Sequence, residues 1–276
     1  MKNAAGDALF ELAQLENDQI DLAKGALLIA KDAYADLDIE LYLQRLNQMA
    51  EELQSQLGKE ADTSDQINHL NQYLFETQGF AGSSQEHYYD ARNSYLNEVL
   101  ERKIGIPITL SVVYMEIGKR IGLPLVGVGF PGHFIVKHRD LDTVIDPFER
   151  GQILSDADLS ERLTQIFREP VSIHPRFLQA VTNKEILARM LRNLRQIHFR
   201  EGEHQKAVSS AEQITWLAPQ SAQDYRDLGY LYYQVNAYGR SLAAFNTYLR
   251  LSDDPPDQEE ISRNIRVLTQ QIAKLN

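Results

Sequence analysis

From Leu9 to Leu57 the apolar residues recur every three or four positions: Leu9, Leu12, Leu15, then Ile20, Ala23, Leu27, Ala30, then Ile39, Leu43, Leu46, Ala50, Leu53 and Leu57. Each set falls on one stripe of a helix, which predicts three helices. The stretch Tyr34-Ala35-Asp36-Leu37-Asp38 interrupts the pattern, and Asp38 is placed to cap the third helix by accepting from the orphan amides of its first turn. Residues 58–65 read as a polar connector, 67–75 as a short helix and 79–84 as a loop. Asn93 to Arg102 reads as a further helix with Asn93 as its cap, ended by the turn Gly105-Ile106-Pro107. Thr109 to Ile121 predicts a helix with Leu110, Val113, Tyr114, Ile117 and Ile121 on one face, closed by Gly122, where the absence of a Cβ permits the left-handed conformation.

The period then changes. Leu125 to Phe130, Phe134 to Lys137 and Thr143 to Ile145 run or alternate like strands, with Pro131-Gly132 turning the chain between the first two. Helices followed by a small antiparallel sheet predict an α+β fold, mostly helical. Beyond Asp158 the pattern is helical to the end, and two blocks of 34 residues stand in register, Ala188 to Ser221 and Ala222 to Pro255. Leu191 aligns with Tyr225, Leu194 with Leu228, His198 with Tyr232, Ala211 with Phe245 and Ile214 with Tyr248. Ala207 and Gly229 fall at helix-crossing positions, Pro219 and Pro255 near the block ends, and Glu259 to Leu275 closes the array with Ile261, Ile265, Leu268 and Ile272 on one stripe. A 34-residue register of this kind resembles the tetratricopeptide repeat, whose units bury their apolar faces by stacking on neighbours. The predicted organisation is a helical part plus core over 1–157, a helical connector over 158–187, and repeats with a capping helix over 188–276.

Charge narrows the partners. The chain carries 39 acidic and 28 basic residues, net −11, and such a surface repels phosphate backbones, so nucleic acid is not an expected partner. Arg189, Arg192, Arg195 and Arg200 read as a solvated helix face. Asp7, Glu11, Glu16, Asp18 and Asp21 are incompatible with a signal peptide, and no window reaches the length of a membrane span, so the expectation is a cytoplasmic protein that does not enter membranes. The chain contains no cysteine, which excludes disulfides, thiolate metal sites and thiol catalysis.

That absence conflicts with the candidate chemistry. Gly132-His133-Phe134 opens a strand, and Asp146-Pro147-Phe148 follows thirteen residues after the histidine. A cysteine protease-like site needs a thiol at a helix N-terminus, an imidazole on a strand and a carboxylate on the next strand to fix the imidazole tautomer. The second and third members are present and the first is not. Asp146 before proline also fits a plain turn, and His133 a buried structural histidine. His138 adds a ligand type beside His133 and Asp146, but strand residues five apart point to opposite faces, so no metal site and no cofactor is expected. His198 and His204 lie in the repeat region and carry no further signal.

The segments Tyr88-Tyr89-Asp90-Ala91-Arg92-Asn93-Ser94-Tyr95-Leu96, Gly105-Ile106-Pro107-Ile108-Thr109-Leu110-Ser111, Gly127 to Phe134 and Ile145-Asp146-Pro147-Phe148 resemble the SirB1 family of bacterial proteins. The resemblance covers nearly the whole chain. It implies a helical N-terminal part, a transglutaminase-like (papain-like) core and C-terminal tetratricopeptide repeats. In that core the cysteine position falls near Pro107, and the nearest hydroxyls are Thr109 and Ser111. Neither replaces a thiol simply, since a hydroxyl needs a strong, oriented base. Tyr88, Tyr89, Arg92, Asn93 and Tyr95 precede that helix and could line a pocket or pack the domain. The expected function is a non-catalytic, regulatory protein, a pseudoenzyme whose cleft binds a peptide or small ligand and whose repeats bind a protein partner. The alternative is a hydrolase or acyl transferase in which His133 and Asp146 activate water or the hydroxyl of Thr109 or Ser111.

Overall fold

The computed structural model describes residues 4–58 and 60–275. Lys59 of the polar connector and the first three residues of the N-terminal stretch, Met1 among them, lie outside the described residues. The chain divides into two compact units, Met1–Met190 and Leu191–Asn276.

The first unit begins with α1 (Ala4–Ala13), α2 (Leu22–Ala33) and α3 (Ile39–Gln56), the three helices expected from the apolar spacing. Asp38 caps α3 by accepting from Glu40 N and Leu41 N. The short helix α4 (Thr63–Asn71) starts on Asp62 and loosens into a π-helical stretch over Gln72–Thr77. The expected loop at 79–84 contains a two-residue strand, β1 (Ala81–Gly82), which pairs in parallel with β2 (Ile104–Gly105). Between them, α5 (Leu96–Arg102) starts on Tyr95 rather than Asn93 and ends on Lys103, at φ 61°. Asn93 sits in a separate 3-10 turn, where its side-chain amide donates to His87 O at 2.7 Å and its amide oxygen accepts from Arg102 at 3.0 Å. Those long-range bonds hold it outside the helix that propensity alone would have it cap.

The centre of the unit is α6 (Pro107–Arg120), buried from Pro107 to Gly118 on every face. One apolar stripe was expected, but a helix enclosed all round is interior to its domain. Its polar exceptions are internally matched: buried Glu116 pairs with Arg120 one turn on. A meander follows, with β3 (Leu125–Val128), β4 (Ile135–His138), β5 (Val144–Asp146) and β6 (Gln152–Leu154) hydrogen-bonded in that order, every pair antiparallel. The fourth strand had no sequence signature; Gln152 and Ile153 are exposed and only Leu154 turns inward. Helix α7 (Asp156–Phe167) starts with a capping box, Ser155 and Asp158 each bonding the other's backbone. Its Leu159 and Leu163 join Val128, Phe130, Ile135, Val144 and Leu154 in one apolar cluster, which fixes α7 against the sheet.

The second unit is helical. Helix α8 (Asn183–Arg200), within which the division of units falls, is followed by α9 (His204–Leu217), α10 (Ala222–Gln234), α11 (Tyr238–Leu251) and α12 (Gln258–Leu275). The 34-residue register puts most of its matched positions inside: Leu191, Leu194, His198, Ala211 and Ile214 of one block are buried, as are Leu228, Tyr232, Phe245 and Tyr248 of the next, while Tyr225 is half-buried. Gly229 is needed at the crossing of α10 and α11, because a Cβ there would stand 2.6 Å from the Phe245 ring. Of the arginines expected on a solvated face Arg200 is exposed, whereas Arg192 and Arg195 are half-buried and paired: Arg192 donates three bonds to Asp224, and Arg195 bridges Asp224 and Asp227. Among the described residues no helix is long and apolar enough to cross a membrane.

Candidate functional site

His133 lies in the turn that links β3 to β4, its backbone N–H donating to Phe130 O at 3.1 Å, with Gly132 at φ 63° before it. Asp146 ends β5. Its carboxylate accepts from Phe148 N at 3.0 Å and Glu149 N at 3.4 Å, which is the Asp-Pro turn. The same carboxylate faces His133 Nε2 at 2.9 Å from Oδ2 and 3.1 Å from Oδ1. Turn formation and imidazole contact, alternatives in the sequence, are therefore simultaneous.

A third partner, Arg162 of α7, donates to Asp146 Oδ2 at 2.5 Å. Burial by itself would raise the Asp146 carboxyl, but the bonds and charges from His133 and Arg162 outweigh it and hold the group below the usual carboxylate range. Asp146 is thus a carboxylate, and the imidazole nitrogen facing it carries the proton. For the other ring nitrogen, Nδ1, no hydrogen bond is found among the described residues. Arg162 also weakens what the carboxylate can do for an imidazolium, since its positive charge lies on the same oxygen.

The imidazole is held from other sides as well. Arg189 Nη2 donates to the His133 carbonyl at 2.6 Å, with its guanidinium 5.3 Å from the Phe134 ring. Phe148 meets the imidazole edge-on, ring centroids 5.9 Å apart, and itself packs where a Cβ on Gly82 would lie 2.7 Å from the ring. The His133 side chain remains 17% exposed against 0% for Asp146, so the pair has an inner member and one that reaches solvent. His133 borders a cleft of about 500 Å³ walled by Phe148, Glu149 and Gln152 after β5 and by Asp158, Glu161, Arg162, Gln165 and Ile166 of α7.

At the expected nucleophile position, Pro107 is the first residue of α6. The Thr109 hydroxyl is buried and committed: it accepts from Ile106 N at 3.0 Å and lies 2.8 Å from Asn93 O and 3.1 Å from Ile106 O. Ser111 is also fully buried, and its hydroxyl has no hydrogen-bond partner among the described residues. Neither is part of the lining of the His133 cleft.

The aromatic and amide group divides. Asn93 and Tyr95 are buried, the latter edge-on to Tyr34 with centroids 5.4 Å apart. Arg92 forms a fork with Asp90 on the surface. Tyr88 and Tyr89 pack edge to face, Tyr89 exposed. Burial and then Tyr89 push the Tyr88 hydroxyl up while the Arg189 charge opposes them, so Tyr88 approaches the arginine that holds the His133 backbone. His138 is buried and accepts from Asp140 N and Leu141 N, a structural role. His198 in the last turn of α8 and Glu201 and Glu203 just after it bring ligand-type atoms within 4.8 Å of one another. Lys206 Nζ already stands 2.6 Å from Glu203, so that carboxylate has its cation.

Arg162 and Arg189 were missed in the sequence. Each sits among charges on an amphipathic helix, which reads as solvent-facing, and nothing local tells that its partner lies sixteen or fifty-six residues away.

A family profile described as transglutaminase-like superfamily matches residues 40–192, and one described as tetratricopeptide repeat matches residues 194–266. A UPF0162 protein of Xylella fastidiosa is 36% identical over 245 residues, covering 87% of this chain and 87% of its own. The protein SirB1 of Salmonella typhimurium is 22% identical, covering 93% of this chain and 96% of its own. The F-box only protein 21 of Homo sapiens is 31% identical over 161 residues, 55% of this chain and 23% of that protein.

Proposed function

The chain belongs to the transglutaminase-like, tetratricopeptide-containing family of SirB1 and the UPF0162 proteins, and from that premise we propose that it is a non-catalytic binding protein of the bacterial cytoplasm. The His133 cleft takes a peptide or small ligand, and the repeats of the second unit take a protein partner. Neither membrane nor nucleic acid is part of this reading.

One observation carries the proposal: the chain has no cysteine, and near Pro107, where the resemblance implies the thiol, the hydroxyls nearest in sequence are both buried, Thr109 in three contacts of its own. A general base contributes about 10²–10⁴ in rate only when it has a proton to take from a group that then attacks. For the repeats, helical hairpins of this type generally present grooves to peptides. In the second unit a groove of about 500 Å³ runs between α8 and α10, lined by Asn193, Gln196, Phe199, Tyr230 and Gln234 among others.

The test is incubation of the purified protein with thioester, ester and amide substrates. No turnover above the buffer rate is expected. Turnover that disappears in His133→Ala would replace this reading with the hydrolase one.

A further inference from the structure

We infer that the His133 cleft receives the guanidinium side chain of an arginine carried by a partner peptide. The inference rests on the cleft being a binding site, as proposed above, and names what it binds.

In the neutral ring with its Nε2 proton directed at Asp146, the other nitrogen offers a lone pair, and a ligand that meets it there donates a hydrogen bond. The charges lining the cleft select among donors. Glu149 and Glu161 are exposed in its walls and Asp158 is half-buried. The one cationic side chain among its lining residues, Arg162, is already matched by Asp146 at 2.5 Å. The charge left uncancelled is therefore negative, which repels an anion and favours a cation. Asp158 stays a carboxylate because two bonds from Ser155 hold it so.

Two further features separate a guanidinium from an ammonium. Phe148 and Ile166 give the cleft apolar surface for the stem of a long side chain, and Phe148 offers an aromatic ring, on which arginine stacks more often than lysine does. A planar fork of five N–H groups can also serve a carboxylate in bidentate fashion while donating to the imidazole, and it gives up less hydration on entering a half-buried site than a compact ammonium does.

The experiment uses the full chain and three blocked tripeptides, acetyl-Gly-X-Gly-amide with X as arginine, lysine or citrulline, the last having the arginine shape without its charge. Binding is followed through the ring nitrogen resonances of His133, assigned with His133→Gln, and each peptide is weighed by mass spectrometry afterwards. The expected result is a saturable shift for the arginine peptide, weaker binding for lysine and none for citrulline. The exposed pair Glu149→Gln with Glu161→Gln should weaken arginine binding about tenfold. Citrulline binding as well as arginine, lysine binding as tightly, indifference to the double variant, or no saturable shift with any peptide would each overturn the inference. A chemically altered arginine peptide would instead refute the non-catalytic reading and leave arginine recognition standing.

Discussion

Asp146 in the first unit and Asp224 in the second are both buried carboxylates resting on arginine. Asp224 is spent on Arg192, Arg195 and the Ser221 hydroxyl. Asp146 is spent on Arg162, two backbone amides and an imidazole. In each, burial would raise the carboxyl and the bonded partners bring it down instead. Desolvation, ion pairing and a shifted carboxyl are thus common to a helix-packing element and to a candidate site, and none of them distinguishes the two. The difference lies in the last partner: His133 passes the contact on to an open cleft with a nitrogen to spare, whereas every partner of Asp224 named here is an arginine or a hydroxyl that gives it a hydrogen.

The comparison can be broken at its common part first. Asp224→Ala and Asp146→Ala should each cost about 3 kcal/mol in urea unfolding, because each strands arginine charge in a poorly hydrated place. A cost near zero at either would mean that its carboxylate is not a structural requirement. The next effect sharpens the contrast with the candidate nucleophiles. Thr109→Val should cost about 2 kcal/mol, since Ile106 N–H and Asn93 C=O each lose the hydroxyl and keep only their long 3.4 Å bond to each other, while Ser111→Ala, which removes an unpaired buried hydroxyl, should stay within about 0.5 kcal/mol. Equal costs would contradict the hydrogen bonding assigned to them.

His133→Ala comes below that, with a loss of about 1 kcal/mol in the same measurement, because Asp146 keeps Arg162 and both amides. A loss as large as that of the aspartates would make the imidazole part of the scaffold rather than of a cleft. The smallest effect appears only in acid. Both aspartates sit below their ordinary range in the fold, so their contribution is complete above about pH 4, where the unfolded chain's carboxyls are ionised, and fades as pH falls through the lower folded values. Urea midpoints taken from pH 7 down to pH 3 should fall more steeply for the wild-type chain than for Asp146→Asn combined with Asp224→Asn. Parallel curves would remove both carboxylates from the acid transition.

Much of the fold was legible because helical periodicity is a property of ten or more residues at once. Leu9 to Leu57, the Asp38 cap and the 34-residue register of the repeats all came from such runs. Features decided by a single distant partner were not. The strand Ala81–Gly82 is two residues long and exists only because Ile104–Gly105 lies beside it, and β6 turns one residue inward. Asn93 has sequence neighbours that suit a helix cap, while its bonds run to His87 and Arg102. At the site, His133 and Asp146 stood out through their flanking Pro-Gly and Pro residues, which bend the chain visibly. Arg162 and Arg189 act through side chains that carry no such mark.

Pro107 has a use in protein engineering. The first residue of a helix has no intrahelical acceptor for its N–H, so proline there forfeits no backbone bond, and Pro107→Cys would regain a donor without asking α6 to break one. A sulfur at that place would stand at the positive end of a fourteen-residue helix, which favours a thiolate. The protein therefore provides a ready background, empty of every other thiol, in which the ionisation of a single introduced and buried one can be followed without ambiguity.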